Sequence, residues 1–117
     1  MIKGIEKLDN CDKTIKEVFK YFERIYSEVI CTSGYRTAEE NTRVGGAPNS
    51  MHIKGLAGDI IVPEKKAFVI AGRILENFPD IGAVFVNVFL NYVHFDKRSK
   101  DNGEVLCRVY DRNNKVI

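Results

Sequence analysis

Cysteine is scarce in this chain. Only Cys11, Cys31 and Cys107 occur, widely separated and with no C-x-x-C spacing. Three scattered thiols make neither a disulfide framework nor a thiolate-rich structural zinc site, and they read as reduced thiols of a chain made in a reducing cytosol. No apolar run approaches the ~20 residues of a membrane span. The opening stretch MIKGIEKLDN has no apolar h-region, so a Sec-type signal peptide is not expected. Blocks of like charge are missing too. With a net charge of +2 and scattered lysines and arginines, nothing calls for a nucleic-acid partner. Repeats and low-complexity segments are absent. Histidine occurs only twice, as His52 and His94, and no Asp or Glu lies between Asp80 and Asp96.

What is present fits one domain over residues 1–117 with a modest core, since 44% of the residues are hydrophobic. Ile15, Val18, Phe19, Phe22, Ile25, Tyr26 and Val29 recur in steps of three and four. They predict an amphipathic helix over Asp12–Val29, capped by Asp12 or Asn10. Val29–Thr32 reads as a short buried strand. Thr37 followed by Glu40 resembles a capping box, which places a short helix over Ala38–Val44. A Gly/Pro/Asn loop follows, then a strand over Ala57–Val62 that Pro63 ends. A second amphipathic helix is expected over Glu64–Asn77, a β-branched and aromatic run over Gly82–Leu90, and strands over Asn91–Asp96 and Glu104–Tyr110. The fold class is therefore α+β: an antiparallel sheet with helices packed on one side.

The chemistry concentrates around the two histidines. In PNSMHIKGLAGDI (Pro48–Ile60), Gly55 and Gly58 argue against a helix. His52 then sits on a loop, and Asp59 opens an apolar strand. A carboxylate at the mouth of a buried strand needs a partner, and a metal ion is one such partner. In Tyr92-Val93-His94-Phe95-Asp96, side-chain alternation puts Tyr92, His94 and Asp96 on one face, with Val93 and Phe95 toward the core. Two His and one carboxylate is a common ligand set for a catalytic zinc that keeps an open position. The same residues, taken singly, also suit surface or hydrogen-bonded core positions.

SGYRT (Ser33–Thr37), Asn41, VGGAPNSMHIKGLAGD (Val44–Asp59) and VHFD (Val93–Asp96) occur in this order. Together they resemble the zinc D-alanyl-D-alanine carboxypeptidases and the related L-alanyl-D-glutamate peptidases of phages and bacteria. Those enzymes cut peptidoglycan stem peptides on a fold shared with the hedgehog signalling domain. Their pattern S-x-H-x-x-G-x-A-x-D is met at Ser50, His52, Gly55, Ala57 and Asp59. The resemblance implies Zn2+ held by His52, Asp59 and His94. It implies Arg36 as the cation facing substrate and oxyanion, Ser50 in the substrate site, and a peptidoglycan stem peptide as the partner of a monomer. Many members carry a Glu three residues before the last His as general base; this chain has Asn91 there. Asp96 is the nearest carboxylate, either as that base or as a residue orienting a ligand imidazole. Two rivals stand beside the peptidase: a silent, zinc-containing hedgehog-like binding module, which Asn91 favours, and a metal phosphoesterase, for which the carboxylates are too few. A wall-acting enzyme without a signal peptide fits a phage or prophage lysin released from the cytoplasm.

Overall fold

The computed structural model describes all 117 residues. The chain opens with a two-residue strand, β1 (Ile2–Lys3), and a 3-10 turn over Ile5–Leu8. Helix α1 (Lys13–Glu23) follows, and the Asp12 carboxylate caps it by accepting from the Thr14 N–H at 2.9 Å. Ile15, Val18, Phe19 and Phe22 form its buried stripe. The helix stops short of the expected Val29. Ile25 is 46% exposed, while Tyr26 folds back to stack on Phe22. The Glu64 carboxylate accepts from both the N–H and the hydroxyl of Ser27, which fixes the turn that delivers β2 (Val29–Ser33) to the sheet.

Helix α2 (Ala38–Arg43) has the expected capping box between Thr37 and Glu40. β3 (Ala57–Ile61) leads to α3 (Ala67–Asn77). β4 (Ala83–Asn87) and β5 (Tyr92–Asp96) form a hairpin, and β6 (Leu106–Tyr110) returns beside β4. The apolar run through Leu90 therefore divides at Asn87. Val88, Phe89 and Leu90 make the hairpin turn, and the Asn87 side-chain oxygen accepts from the Leu90 N–H at 2.8 Å.

The six strands lie in the order β1-β2-β3-β5-β4-β6. The three inner pairings are antiparallel, as the α+β reading expected, whereas both edge pairings, β1 with β2 and β4 with β6, are parallel. The edges differ because each is reached by a crossover. α1 carries the chain from β1 to β2, and residues 97–105 carry it from β5 past β4 to β6.

Strand register divides the sheet into two chemically opposite faces. Cys31, Ile60, Val93 and Val86 lie in one row across four strands. With Phe95 and Val84 they join the α1 and α3 stripes in a core of 21 buried residues. Gly58 belongs to this face. A Cβ there would lie 2.8 Å from Phe19 and 2.9 Å from Phe95, so α1 crosses the sheet where a side chain is missing. The opposite face carries the row Asp59, His94, Phe85 and Arg108, and the functional residues gather there.

Candidate metal centre

His52 sits in a 3-10 turn, Met51–Lys54, rather than in the open loop expected. The Ser50 hydroxyl caps that turn by accepting from the His52 N–H at 3.2 Å. Gly55 ends it at φ 70°, a left-handed conformation that favours glycine. The turn drives the imidazole inward to 3% exposure, and its Nδ1 lies 2.7 Å from the Gly34 carbonyl oxygen. With Nδ1–H donating to that carbonyl, the Nε2 lone pair faces Asp59, whose Oδ1 is 3.3 Å away.

His94 is fixed by the same logic from β5. Its Nε2 lies 2.7 Å from Asp96 Oδ2, and its Nδ1 lies 2.8 Å from Asp59 Oδ1. A neutral ring that donates Nε2–H to Asp96 turns its Nδ1 lone pair on the same point. The ligand atoms of His52, Asp59 and His94 all lie within 4.8 Å of one another. Because the second nitrogen of each ring already has an acceptor, both tautomers are set for a cation at the shared point. Two imidazoles and a carboxylate suit a divalent metal of the zinc type. The three residues form a group able to bind a metal.

Charge in the metal-free site follows from this crowding. Burial opposes a charge on His94, but hydrogen bonds and attraction from Asp59 and Asp96 outweigh it and raise the ring to about 9. Burial likewise pushes Asp59 up, yet His52 and His94 hold its carboxyl well below the usual range. Without metal, a proton on His94 Nδ1 sits where a metal ion would be ligated.

Asp96 is fully buried. Its Oδ1 accepts from the backbone N–H and Nε of Arg98, and its Oδ2 accepts from Arg98 Nη2 at 2.7 Å. Of the two roles expected for it, this geometry matches orientation of the His94 imidazole: both oxygens are occupied, so neither is free to act as a base. Arg36 stands on the far side of Asp59, with Nη2 3.7 Å from Oδ2. Its guanidinium also donates to Ser33 Oγ and to Asn41 Oδ1. Asn41 is buried and donates to the Ala47 carbonyl at 2.7 Å, tying Arg36 to the loop before His52.

Asn91 is elsewhere. It takes a left-handed φ of 57° at the hairpin end. Its oxygen accepts from the Ala67 N–H and its amide donates to the Lys65 carbonyl, so it ties the hairpin to the start of α3. The expectation that a carboxylate at this position would flank the metal is therefore corrected. The count of three residues before His94 runs off the strand into the turn.

Residues 2–96 match the protein family described as Peptidase M15. The chain belongs to the peptidase M15 family. Comparison with curated proteins and with solved structures finds no match. Every residue of this M15 chain carried over from the motifs lies at the site or beside it: Arg36, His52, Asp59 and His94 line one cleft of about 350 Å3. Ser50, Asp96 and His94 line a second, adjoining arm of about 340 Å3. Sequence reasoning missed Phe85, Asn87 and Tyr110 in the first arm, and Phe85, Arg98 and Arg108 in the second. Alternation along β4 and β6 groups Phe85 with Asn87 and Arg108 with Tyr110, but only the cross-strand register shows that both pairs share the His94 face.

Proposed function

We propose that this M15 peptidase is a zinc enzyme that hydrolyses peptide bonds in peptidoglycan stem peptides. The observation that carries the reading is the convergence of two imidazole lone pairs and one carboxylate on the floor of an open cleft, with each ring held from behind by an acceptor. A divalent metal supplies Lewis-acid chemistry in such a site: it polarises a carbonyl and makes water nucleophilic near neutral pH. The protein supplies the rest. Arg36, a guanidinium fixed by Ser33, Asn41 and Asp59, is held where it can stabilise negative charge developing on the carbonyl oxygen. Tyr92 lines the same arm. Burial raises its phenol, so it meets substrate as a hydrogen-bond donor. Ser50 sets the His52 turn and lines the second arm, where it can meet substrate. An enzyme of this kind, acting at the cell wall, fits a phage or prophage lysin. No helix of the protein is long and apolar enough to cross a membrane.

A second reading has its own observation. The cleft is lined by no carboxylate other than Asp59 and the fully engaged Asp96, so a separate general base is missing. A zinc-containing module that binds the peptide without cutting it meets that condition. Digestion of soluble muropeptides, followed by mass spectrometry with and without chelator, separates the two. Chelator-sensitive cleavage supports the peptidase, and Arg36→Ala should then lower turnover by roughly a hundredfold or more with zinc retained. Metal-dependent binding without cleavage supports the module.

A further inference from the structure

The second arm of the cleft has a charge pattern that the metal centre does not use. Three guanidiniums, Arg36, Arg98 and Arg108, line the two arms. Arg36 is beside Asp59, and Arg98 is spent on Asp96 through two side-chain hydrogen bonds. Arg108 has no carboxylate partner. It is nevertheless held in place: its guanidinium carbon lies 5.4 Å from the centre of the Phe85 ring, with that of Arg98 5.1 Å from the same ring. Phe85 in turn stacks on His94, with centroids 5.2 Å apart and planes 19° from parallel. Arg108, Phe85 and His94 are neighbours in one cross-strand row. Two strand spacings put the Arg108 backbone about 10 Å from that of His94, a distance that an arginine side chain shortens to the reach of one to three peptide residues. Arg98, just after β5, and Arg108, on β6, both lie beyond the residues that match the family.

We propose that this arm is a carboxylate subsite in which Arg108, seated on Phe85, takes an anionic group of the bound peptide. This rests on the reading of the cleft as a peptide site and assigns Arg108, outside the family match, as a residue that sets its specificity. The pairing is charge-assisted, and a guanidinium matches a carboxylate in a two-pronged geometry. Stacking on Phe85 limits the freedom that an exposed arginine would otherwise lose on binding. Ser50, Asn49 and Met51 line the same arm.

The carboxylate is either a peptide C-terminus or an acidic side chain, and the test separates these sources. The full chain, loaded with Zn2+, is titrated with acetyl-D-alanine, acetyl-D-alaninamide, acetyl-glutamate amide and acetyl-glutamine amide. The Arg Nε–H signals are followed by NMR, with Arg108 assigned from Arg108→Ala. At least one acid is expected to shift the Arg108 signal and to bind about tenfold tighter than its amide, equivalent to ~1.4 kcal/mol. The terminal acid marks a C-terminus and the glutamate a side chain. In Arg108→Ala, acid and amide should bind alike, with zinc content unchanged. Acid and amide titrating alike in the parent would overturn the proposal. So would a preference that survives Arg108→Ala, because the anion would then sit on the metal or on Arg36. No bond is cut in this titration, so a failure of the peptidase reading shows separately, in the muropeptide digest.

Discussion

Raising the pH of the metal-free protein should weaken it, and zinc should abolish the effect. His94 is 16% exposed between Asp59 and Asp96, and its pKa rises from 6.5 to about 9 on folding. A group whose pKa is higher in the folded state holds its proton more tightly there. Its stabilisation is complete below pH ~6.5 and drains away as pH climbs to about 9. At 1.36 kcal/mol per unit the loss is about 3 kcal/mol, counted once because Asp59 and Asp96 stabilise the same proton. A metal ligated at Nδ1 replaces that proton. Zinc-loaded protein should therefore keep its stability across the window, and its apparent zinc affinity should rise up to about tenfold per pH unit as one proton is displaced. Asp59 and Asp96, both held below the usual carboxylate range, act with the opposite sign. Their contribution is present above pH ~4 and is lost as acid protonates them. The Cys31 thiol, pushed up to about 12 by burial, adds an alkaline loss only above the unfolded thiol range of ~8.5–9, so the window closes at about 9. Urea unfolding at steps of pH, in chelator and in zinc, with His94→Gln as control, reads the effect. Metal-free stability that stays flat from pH ~6.5 to ~9, or an equal loss in His94→Gln, would refute the assignment of that proton.

Asp96→Asn should weaken zinc binding about 10- to 100-fold by releasing the His94 ring. It should also cost about 2 kcal/mol, below the range for a fully buried pair because Arg98 is one-third exposed; competition against a chromophoric chelator and urea unfolding measure the two, and wild-type affinity would remove Asp96 from the centre. Asn91→Glu should change neither zinc content nor hydrolysis, in contrast to the ~10²–10⁴-fold worth of a placed general base. It should lower stability by about 1–2 kcal/mol through the left-handed backbone and the lost amide donor to Lys65; a large gain in turnover would place this position at the metal after all. Gly58→Ala should destabilise by about 1–3 kcal/mol, because its methyl meets Phe19 and Phe95; an unchanged melting temperature would contradict the packing of α1 on β3.

The grouping of His52, Asp59 and His94 was legible because chemistry and geometry coincide in short segments. The spacing of His52, Gly55 and Asp59 forces a turn into a strand, and alternation alone puts His94 and Asp96 on one face. The capping box at Thr37 and Glu40 and the core stripe of α1 were local in the same way. What the sequence hid depends on contacts between distant segments. The 3-10 turn at His52 takes its shape from Ser50 and Gly55 acting together. β1 is two residues long, too short for a pattern. The turn between α1 and β2 is tied by Glu64, thirty-seven residues away from Ser27. Tyr110 and Arg108 join the cleft only through the parallel return of β6, and Phe85 only through its register with His94 across β4 and β5. Asn91 misled for a related reason: counting residues back from His94 assumes a continuous strand, and the hairpin turn occupies that position.

The proposed function stands on His52, Asp59 and His94 together holding one metal ion. Its most direct test is metal content after equilibrium dialysis against zinc, for the parent and for folded His52→Ala, Asp59→Asn and His94→Ala. One zinc per chain is expected in the parent and substoichiometric zinc in each variant. Stoichiometric zinc retained by His52→Ala and His94→Ala would contradict it.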